Sequence, residues 1–407
     1  MTTPRSSSLD AVVLSGGGAK GAYEIGILKA LCEGRSSSTG FEPLEIDIFT
    51  GTSVGAFNAA FLVGLDDLPP LEAVARLERI WLDRIGGLLT KCGNGVFRAR
   101  VGPLNGLQPA CLLQPISLMR QTLQDAGFWA KYMTERATEF VTSQRPVEFR
   151  ALDTVDLASL FSAEPLYQLI SDSVDLEGLR RSKKSLTVAA TNWEQGKVRL
   201  FDRMEIADRV GSRALAASAA IPGLFPPVEI DGQQYLDGGV LLSTPLKPAI
   251  KDGADVLHVI YLDPQVAEIP LRSLPNTLDT MYRLYLIMGS ALINADLDLA
   301  GDILRDLEHH HRRGHLDDDF QSPSPGSSSK LSRRIQERLE EGDPYRPVSI
   351  HRYRPSSDLG GGAGLLAFDV RFISQLIETG YQDAIHHDCQ KAGCVVENNA
   401  SRRRTKS

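Results

Sequence analysis

Long apolar runs are absent from this chain of 407 residues: its most hydrophobic stretches are short and interrupted by charge. A helix that crosses a bilayer needs roughly 20 consecutive apolar residues, so no transmembrane segment is expected. The start, Met1 to Asp10, is polar with a serine run and lacks the apolar stretch of a secretory signal. Cysteine is sparse and odd in number, and Cys32, Cys92, Cys111, Cys389 and Cys394 include no C-x-x-C pair of the kind used in zinc or redox motifs. These features predict reduced thiols and a cytoplasmic location, with export by a route lacking a cleavable signal also compatible. Neither sign of charge dominates: 44 Lys and Arg stand against 51 Asp and Glu, a net charge of -7. That balance gives no whole-molecule field to draw the chain onto nucleic acid or anionic lipid, so no nucleic-acid partner is expected and any membrane contact must be local. There is no internal repeat. With 42% hydrophobic and 23% charged residues the chain is globular, and its length permits one large α/β domain or two ordinary ones.

What is present begins with two similar units. Ala11 to Ser15 is a short apolar strand, followed by a glycine turn at Gly16 to Gly18 and a helical pattern from Gly21 to Leu31. Ile46 to Phe49, the turn Gly51 to Gly55 and a helix from Ala56 to Val63 repeat the design, which predicts a parallel sheet flanked by helices. Residues 71 to 84 read as helix and 86 to 108 as a long surface loop. Further helices are expected over 115 to 142, 164 to 181 and Ala207 to Ala220, and strands at Leu186 to Asn192 and Val198 to Phe201. Val228 to Ile230 and Gln233 to Leu236 flank the turn dipeptide Asp231-Gly232. Val256 to Leu262 is a strongly apolar strand, 277 to 308 is mostly helical, and 368 to 391 is a terminal amphipathic helix. Residues 309 to 346 carry a Ser/Pro/Gly stretch and read as a mobile polar insertion.

Three constellations carry chemistry. Gly51-Thr52-Ser53-Val54-Gly55 fits G-x-S-x-G between a strand and a helix, where a serine is held on a strained, exposed elbow and the helix aims its N-terminal dipole at an anion beside it. Gly16-Gly17-Gly18-Ala19-Lys20-Gly21 offers unhindered backbone N–H groups at another helix start, the donors a tetrahedral oxyanion needs. The same glycines match G-x-G-x-x-G, a nucleotide-binding fingerprint, and by themselves favour neither reading. Asp237-Gly238-Gly239 follows a short strand; Asp-Gly is ordinarily a turn, and nothing in the residues alone gives the preceding Ala217 to Val228 a function.

These segments, G-G-G-A-K-G at 16 to 21, G-T-S-V-G at 51 to 55, S-A-A-I-P-G-L-F-P-P-V at 218 to 228 and D-G-G at 237 to 239, occur in the order found in patatin-like phospholipases. Over residues 9 to 262 the chain resembles that family of bacterial-type lipid acyl hydrolases, and Leu376 to Ala384, with Gly380-Tyr381, resembles its closing helix. The segments 86 to 108 and 309 to 346 are not covered. The resemblance implies one α/β domain over 9 to 392 with a mainly parallel central sheet flanked by helices, a disordered N-terminus at 1 to 8 and a basic tail at 393 to 407. It implies a Ser-Asp dyad: Ser53 as nucleophile, Asp237 as proton acceptor and no required histidine. Gly16, Gly17 and Gly18 would form the oxyanion hole, framed by Gly21, Gly51, Gly55, Gly238 and Gly239. Lys20 matches a commonly basic position that orients the loop or a phosphate; without the resemblance it reads as a solvated charge. The implied substrate is a lipid or phospholipid ester met at a membrane or micelle surface, with no cofactor, and some members need an activating partner. The region 86 to 142 has the length of a cap over the site.

Other readings compete. An α/β-hydrolase triad would draw its base from His258, His351, His386 or His387, although its oxyanion loop would follow a later strand. A nucleotide-binding module would use the loop at 16 to 21 with Glu42 or Glu45 on the ribose, and a silent relative would serve only as a binding protein. Two clusters invite a metal reading: His309 to His311 with His315, which in a polar insertion reads as a solvated run, and His386, His387, Cys389 and Cys394, which lack a standard zinc spacing; no metal is expected. Arg402 to Arg404 with Lys406 read as a frayed basic tail.

Overall fold

Asp10–Leu14, strand β1, is buried along all but its first residue, as expected of an apolar strand with neighbours on both edges and helices on both faces. The computed structural model describes residues 8–86, 95–100, 115–144, 161–263, 348–360 and 364–396, with the single positions 146, 280, 283, 284, 287 and 288. Residues 1–7 of the N-terminus expected to be disordered over 1 to 8, the helix over 277 to 308 (save those single positions), the insertion at 309 to 346 and the end of the basic tail lie outside them. β1 pairs in parallel with β2 (Ile48–Thr52) on one edge and with β9 (Val256–Ile260) on the other. β10 (Ser349–Tyr353) continues the parallel set beyond β9, and β5 (Ser185–Asn192) continues it beyond β2. Three antiparallel strands complete the eight-stranded sheet: β6 (Lys197–Asp202), β7 (Val228–Ile230) and β8 (Gln233–Asp237). The expected α/β class with a mainly parallel sheet is what the structure has.

One detail of register governs everything downstream. On β5, Ala189 pairs with Thr52 of β2, and the next residue, Ala190, pairs with Asp237 of β8. β6 occupies the opposite edge of both alanines. β2 and β8 therefore meet end to end along one edge of β5.

Helices cover the two faces. α1 (Ala22–Cys32), α2 (Val54–Gly64) and α9 (Val370–Ile385) bury Val12, Leu14 and Phe49 from the sheet on one side. α8 (Leu246–Lys251) covers Ala11, Val13, Ile48 and Leu257 on the other. α1 and α9 approach closely because a side chain on Gly26 would lie 1.9 Å from the Ile377 carbonyl and one on Gly380 2.1 Å from the Tyr23 carbonyl. α3 (Pro70–Arg79) begins, as its Pro70 suggests, at a proline and runs into a π-helical turn ending at Ile85.

Several expected elements are interrupted. Residues 164 to 181 form two helices, α5 (Glu164–Ser173) and α6 (Leu176–Arg181), because Asp175 caps the second by accepting the Gly178 N–H at 2.9 Å. The helix over Ala207 to Ala220 breaks at Gly211, whose φ of 57° ends a π-helical turn before α7 (Ser212–Ser218). The terminal helix stops at Ile385, and α10 (Cys389–Ala392) restarts under an Asp388 cap. The supposed surface loop after Gly86 is in part buried: Val96 is in the core, the Phe97 ring packs among Phe161, Phe225 and Phe368, and β3 (Arg98–Ala99) pairs with β4 (Phe161–Ser162). Arg98 is held to Asp125 of α4 (Pro115–Thr142) by a buried ion pair of 2.6 Å. Among the described residues no helix is long and apolar enough to cross a membrane.

Candidate active site

Ser53 sits between β2 and α2 with φ 54° and ψ −122°, a conformation that a residue with a side chain adopts only when its surroundings impose it. The surroundings are closed on both flanks: a side chain on Gly51 would lie 2.4 Å from the Gly55 carbonyl, and one on Gly55 would lie 2.5 Å from the Leu14 carbonyl. Ser218, at the end of α7, completes the clamp. Its buried hydroxyl accepts the Ser53 N–H at 2.8 Å and donates to the Ala189 carbonyl at 2.6 Å. In the sequence Ser218 only opens the family-like segment at 218 to 228, which carries no role by itself.

Asp237 is the last residue of β8 and is fully buried. The end-to-end junction of β2 and β8 brings it beside Ser53. Its Oδ1 accepts the Gly239 N–H at 2.7 Å, whereas Oδ2 has no hydrogen-bond partner. Burial pushes its pKa up to about 7, against smaller downward pulls from the Ser53 side chain and the Gly239 N–H. The Ser53 side chain is thus near enough to lower this pKa as a hydrogen-bond partner of the carboxyl, although no contact to Oδ2 has the distance and angle of a closed hydrogen bond. Gly238 is required here because a side chain would meet the Ala189 carbonyl at 2.3 Å.

The glycine loop after β1 turns back on the same place, and a side chain on Gly16 would lie 3.2 Å from the Ser53 Cβ. Its three N–H groups are not equivalent. Gly16 donates to the Ser243 carbonyl at 3.1 Å, while those of Gly17 and Gly18 make no hydrogen bond among the described residues. Gly18 has φ 56°, and the loop is fixed by the Ala19 N–H donating to the Leu365 carbonyl at 2.9 Å. Gly21 allows α2 to approach, since a side chain there would overlap Val54. Lys20 is not a solvated charge: it is fully buried, and its Nζ lies 2.6 Å from Asp263 and 3.9 Å from Asp358. It ties the glycine loop to the segments after β9 and before α9. A narrow apolar cleft opens from Gly18 and Ser53 and is walled by Phe57, Trp81, Val96, Ile170, Leu215 and Phe225.

The competing readings lack support in the geometry. None of His258, His351, His386 and His387 hydrogen-bonds to Ser53 or Asp237. Glu42 and Glu45 precede β2, at the end of the parallel strands opposite the glycine loop that follows β1, so neither can reach a ribose bound there. The candidate cluster at His309 to His315 lies outside the described residues. In the other, the His386 ring turns to the Gln382 carbonyl, and His351 of β10 joins His387, Cys389 and Cys394 in its stead.

Fold and site together define an α/β protein with a strained serine elbow beside a buried aspartate, the serine opening onto an apolar cleft. The model of the patatin-like phospholipase family matches residues 12–250, more than half of the chain, and the chain belongs to that family. Among curated proteins it is similar to uncharacterised NTE family proteins of Mycobacterium bovis and Mycobacterium tuberculosis, 29% identical over 142 residues. Those matches cover 35% of this chain and 35% of each relative's length. Among solved structures, VipD from Legionella pneumophila is 16% identical with a TM-score of 0.36, covering 93% of this chain and 66% of that one. The ExoU–SpcU complex of the Pseudomonas aeruginosa type III secretion system gives 16% identity and a TM-score of 0.26, covering 93% and 74%.

Proposed function

We propose that this chain is a lipid acyl hydrolase of the phospholipase A or lysophospholipase type, acting through Ser53 and Asp237 within one catalytic unit over residues 9–392. The observation that carries this reading is the pairing of a strained serine with a buried carboxyl whose Oδ2 is unpartnered and whose pKa is raised to about 7. A carboxylate of ordinary pKa is a weak base, and raising it toward neutrality matches it to taking a proton from a hydroxyl. Ser53 Oγ attacks the ester carbonyl and its proton passes to Asp237 Oδ2. The tetrahedral oxyanion is held by the unengaged N–H groups of Gly17 and Gly18; Gly16 shapes the loop and does not donate. The alcohol leaves with the proton from Asp237, and water, deprotonated by the same carboxylate, releases the fatty acid from the acyl-enzyme. Lys20 holds the glycine loop in place through Asp263. The apolar cleft takes the acyl chain, and the stretch 86 to 142, which contributes Val96 to its wall, caps it. No cofactor enters this scheme.

Fatty-acid release from phospholipids, lysophospholipids, triglycerides and short p-nitrophenyl esters tests the reading. Wild type is expected to release fatty acid, and Ser53→Ala and Asp237→Asn each to lose about a thousandfold or more, to similar extents because the two act as one unit. Retention of most activity by folded Asp237→Asn would sink the dyad.

A further inference from the structure

We infer that His351, His387, Cys389 and Cys394 form a structural zinc site that fastens the C-terminal hook to the edge of the sheet. The four side chains come from two places. His351 lies in edge strand β10, His387 in the turn after α9, Cys389 at the start of the short helix α10 and Cys394 just past its end. Their donor atoms all lie within 4.8 Å of one another. Cys389 Sγ is 3.4 Å from His351 Nδ1 and 3.5 Å from His387 Nε2, and Cys394 Sγ is 3.4 Å from His387 Nε2. A tetrahedral zinc ion with sulfurs at about 2.3 Å and ring nitrogens at about 2.0 to 2.1 Å sets neighbouring sulfur and nitrogen ligands about 3.5 Å apart. The three sulfur–nitrogen distances are those edges.

The donor set selects the ion. Two thiolates and two imidazoles in a tetrahedral arrangement suit zinc, whereas calcium and magnesium take oxygen ligands. Four protein ligands leave no open position, so the site is structural and plays no part in ester cleavage. Its surroundings support the ligands: the Arg352 N–H donates to Cys394 Sγ at 3.3 Å, and the His258 ring stacks on His351 with centroids 5.2 Å apart. The hook is also held by a bridge between Ile350 and Val395 and by the Ser37 hydroxyl donating to the His387 carbonyl. A metal clip here would keep the hook on β10, whose outer edge otherwise offers unpaired backbone groups to another chain.

The full chain, purified under reducing conditions without added metal, should carry about one zinc per chain by mass-spectrometric elemental analysis. Exchange into Co(II) should give the visible ligand-field and thiolate charge-transfer bands of a tetrahedral thiolate site. Cys394→Ser and His351→Gln should each lower bound zinc at least fivefold, and His386→Gln, beside the cluster but outside it, should keep it. The wild-type measurements decide the matter even if the cluster variants do not fold. Less than about a tenth of an equivalent of zinc together with no Co(II) spectrum on titration overturns the site. So does a Cys389–Cys394 disulfide in the reduced preparation, or zinc retained after both cysteines are replaced.

Discussion

At the scale of single residues, Asp237 links activity to stability with opposite signs. As the proposed base it must be ionised, so kcat/KM should climb as pH rises toward about 7 and level off above it, a profile read directly from ester hydrolysis across pH. Its folded pKa lies above the ordinary 3.8, so the native state binds the proton more tightly than the unfolded chain does. The associated stability is fully present below about 3.8 and is lost as pH rises through about 7. Asp237→Asn removes the buried charge and should therefore be inactive yet more stable than wild type above pH 7, by on the order of 4 kcal/mol at the alkaline limit, from about three pKa units at about 1.4 kcal/mol each. Denaturant melts of both proteins at acid and alkaline pH check this; equal stability at high pH would mean that the carboxylate is not isolated from water. Ser218 acts one step removed, through the Ser53 backbone. Ser218→Ala leaves a buried N–H unpaired and should cost about 1 to 3 kcal/mol of stability and lower kcat by roughly tenfold to a hundredfold with KM little changed. Unchanged kcat with the same loss of stability would make Ser218 merely structural. Ser53 and the glycines around it stand out in the sequence because G-x-S-x-G and the glycine loop are motifs of backbone geometry, whereas Asp237 is singled out only through the family resemblance, Asp-Gly by itself reading as a turn. The burial of Lys20 and the role of Ser218 were not legible there, because each depends on a partner far along the chain: Asp263 for one, Ala189 for the other.

At the scale of elements, a close helix contact is made by what two residues lack. Gly26 of α1 and Gly380 of α9 let the backbones touch, so Gly26→Ala must push α9 outward despite alanine's better helix propensity. Overpacking of this kind costs about 1 to 3 kcal/mol or more, against a propensity gain of about 1. Gly26→Ala should thus lower the melting temperature, and Gly127→Ala in α4, where added atoms meet nothing within 4 Å, should not. If both glycines respond alike, the close approach is not what requires Gly26. Apolar periodicity made the existence of most elements readable, but it was blind to their interruptions. Asp175 and Asp388 fit helix interiors as well as caps, and Gly211 ends a helix through a positive φ that no hydrophobic pattern encodes.

At the scale of the whole molecule, the site exists because β2 and β8 abut on β5, a long-range register that no local pattern specifies. The same scale governs how a chain of net charge -7 meets a lipid surface, since its overall field gives no help. The apolar contact offered is local: α4 exposes Ile116, Met119 and Leu123, spaced three and four residues apart and so on one helix face, with Met133 further along. This helix is tied to the site through the buried Asp125–Arg98 pair, and Val96, two residues before Arg98, walls the cleft. A surface reached through α4 would bring lipid to the mouth of the cleft. Replacing Ile116, Met119 and Leu123 together with glutamate removes an apolar face worth about 1.5 to 3 kcal/mol per fully buried side chain, so partition onto zwitterionic vesicles should weaken by tenfold or more. Hydrolysis of vesicle lipid should fall with it, while hydrolysis of a short soluble p-nitrophenyl ester stays within about twofold of wild type, because the exposed face does not support the dyad. Parallel loss on both substrates would show that α4 holds the site together, and no loss on either would show that lipid arrives by another face.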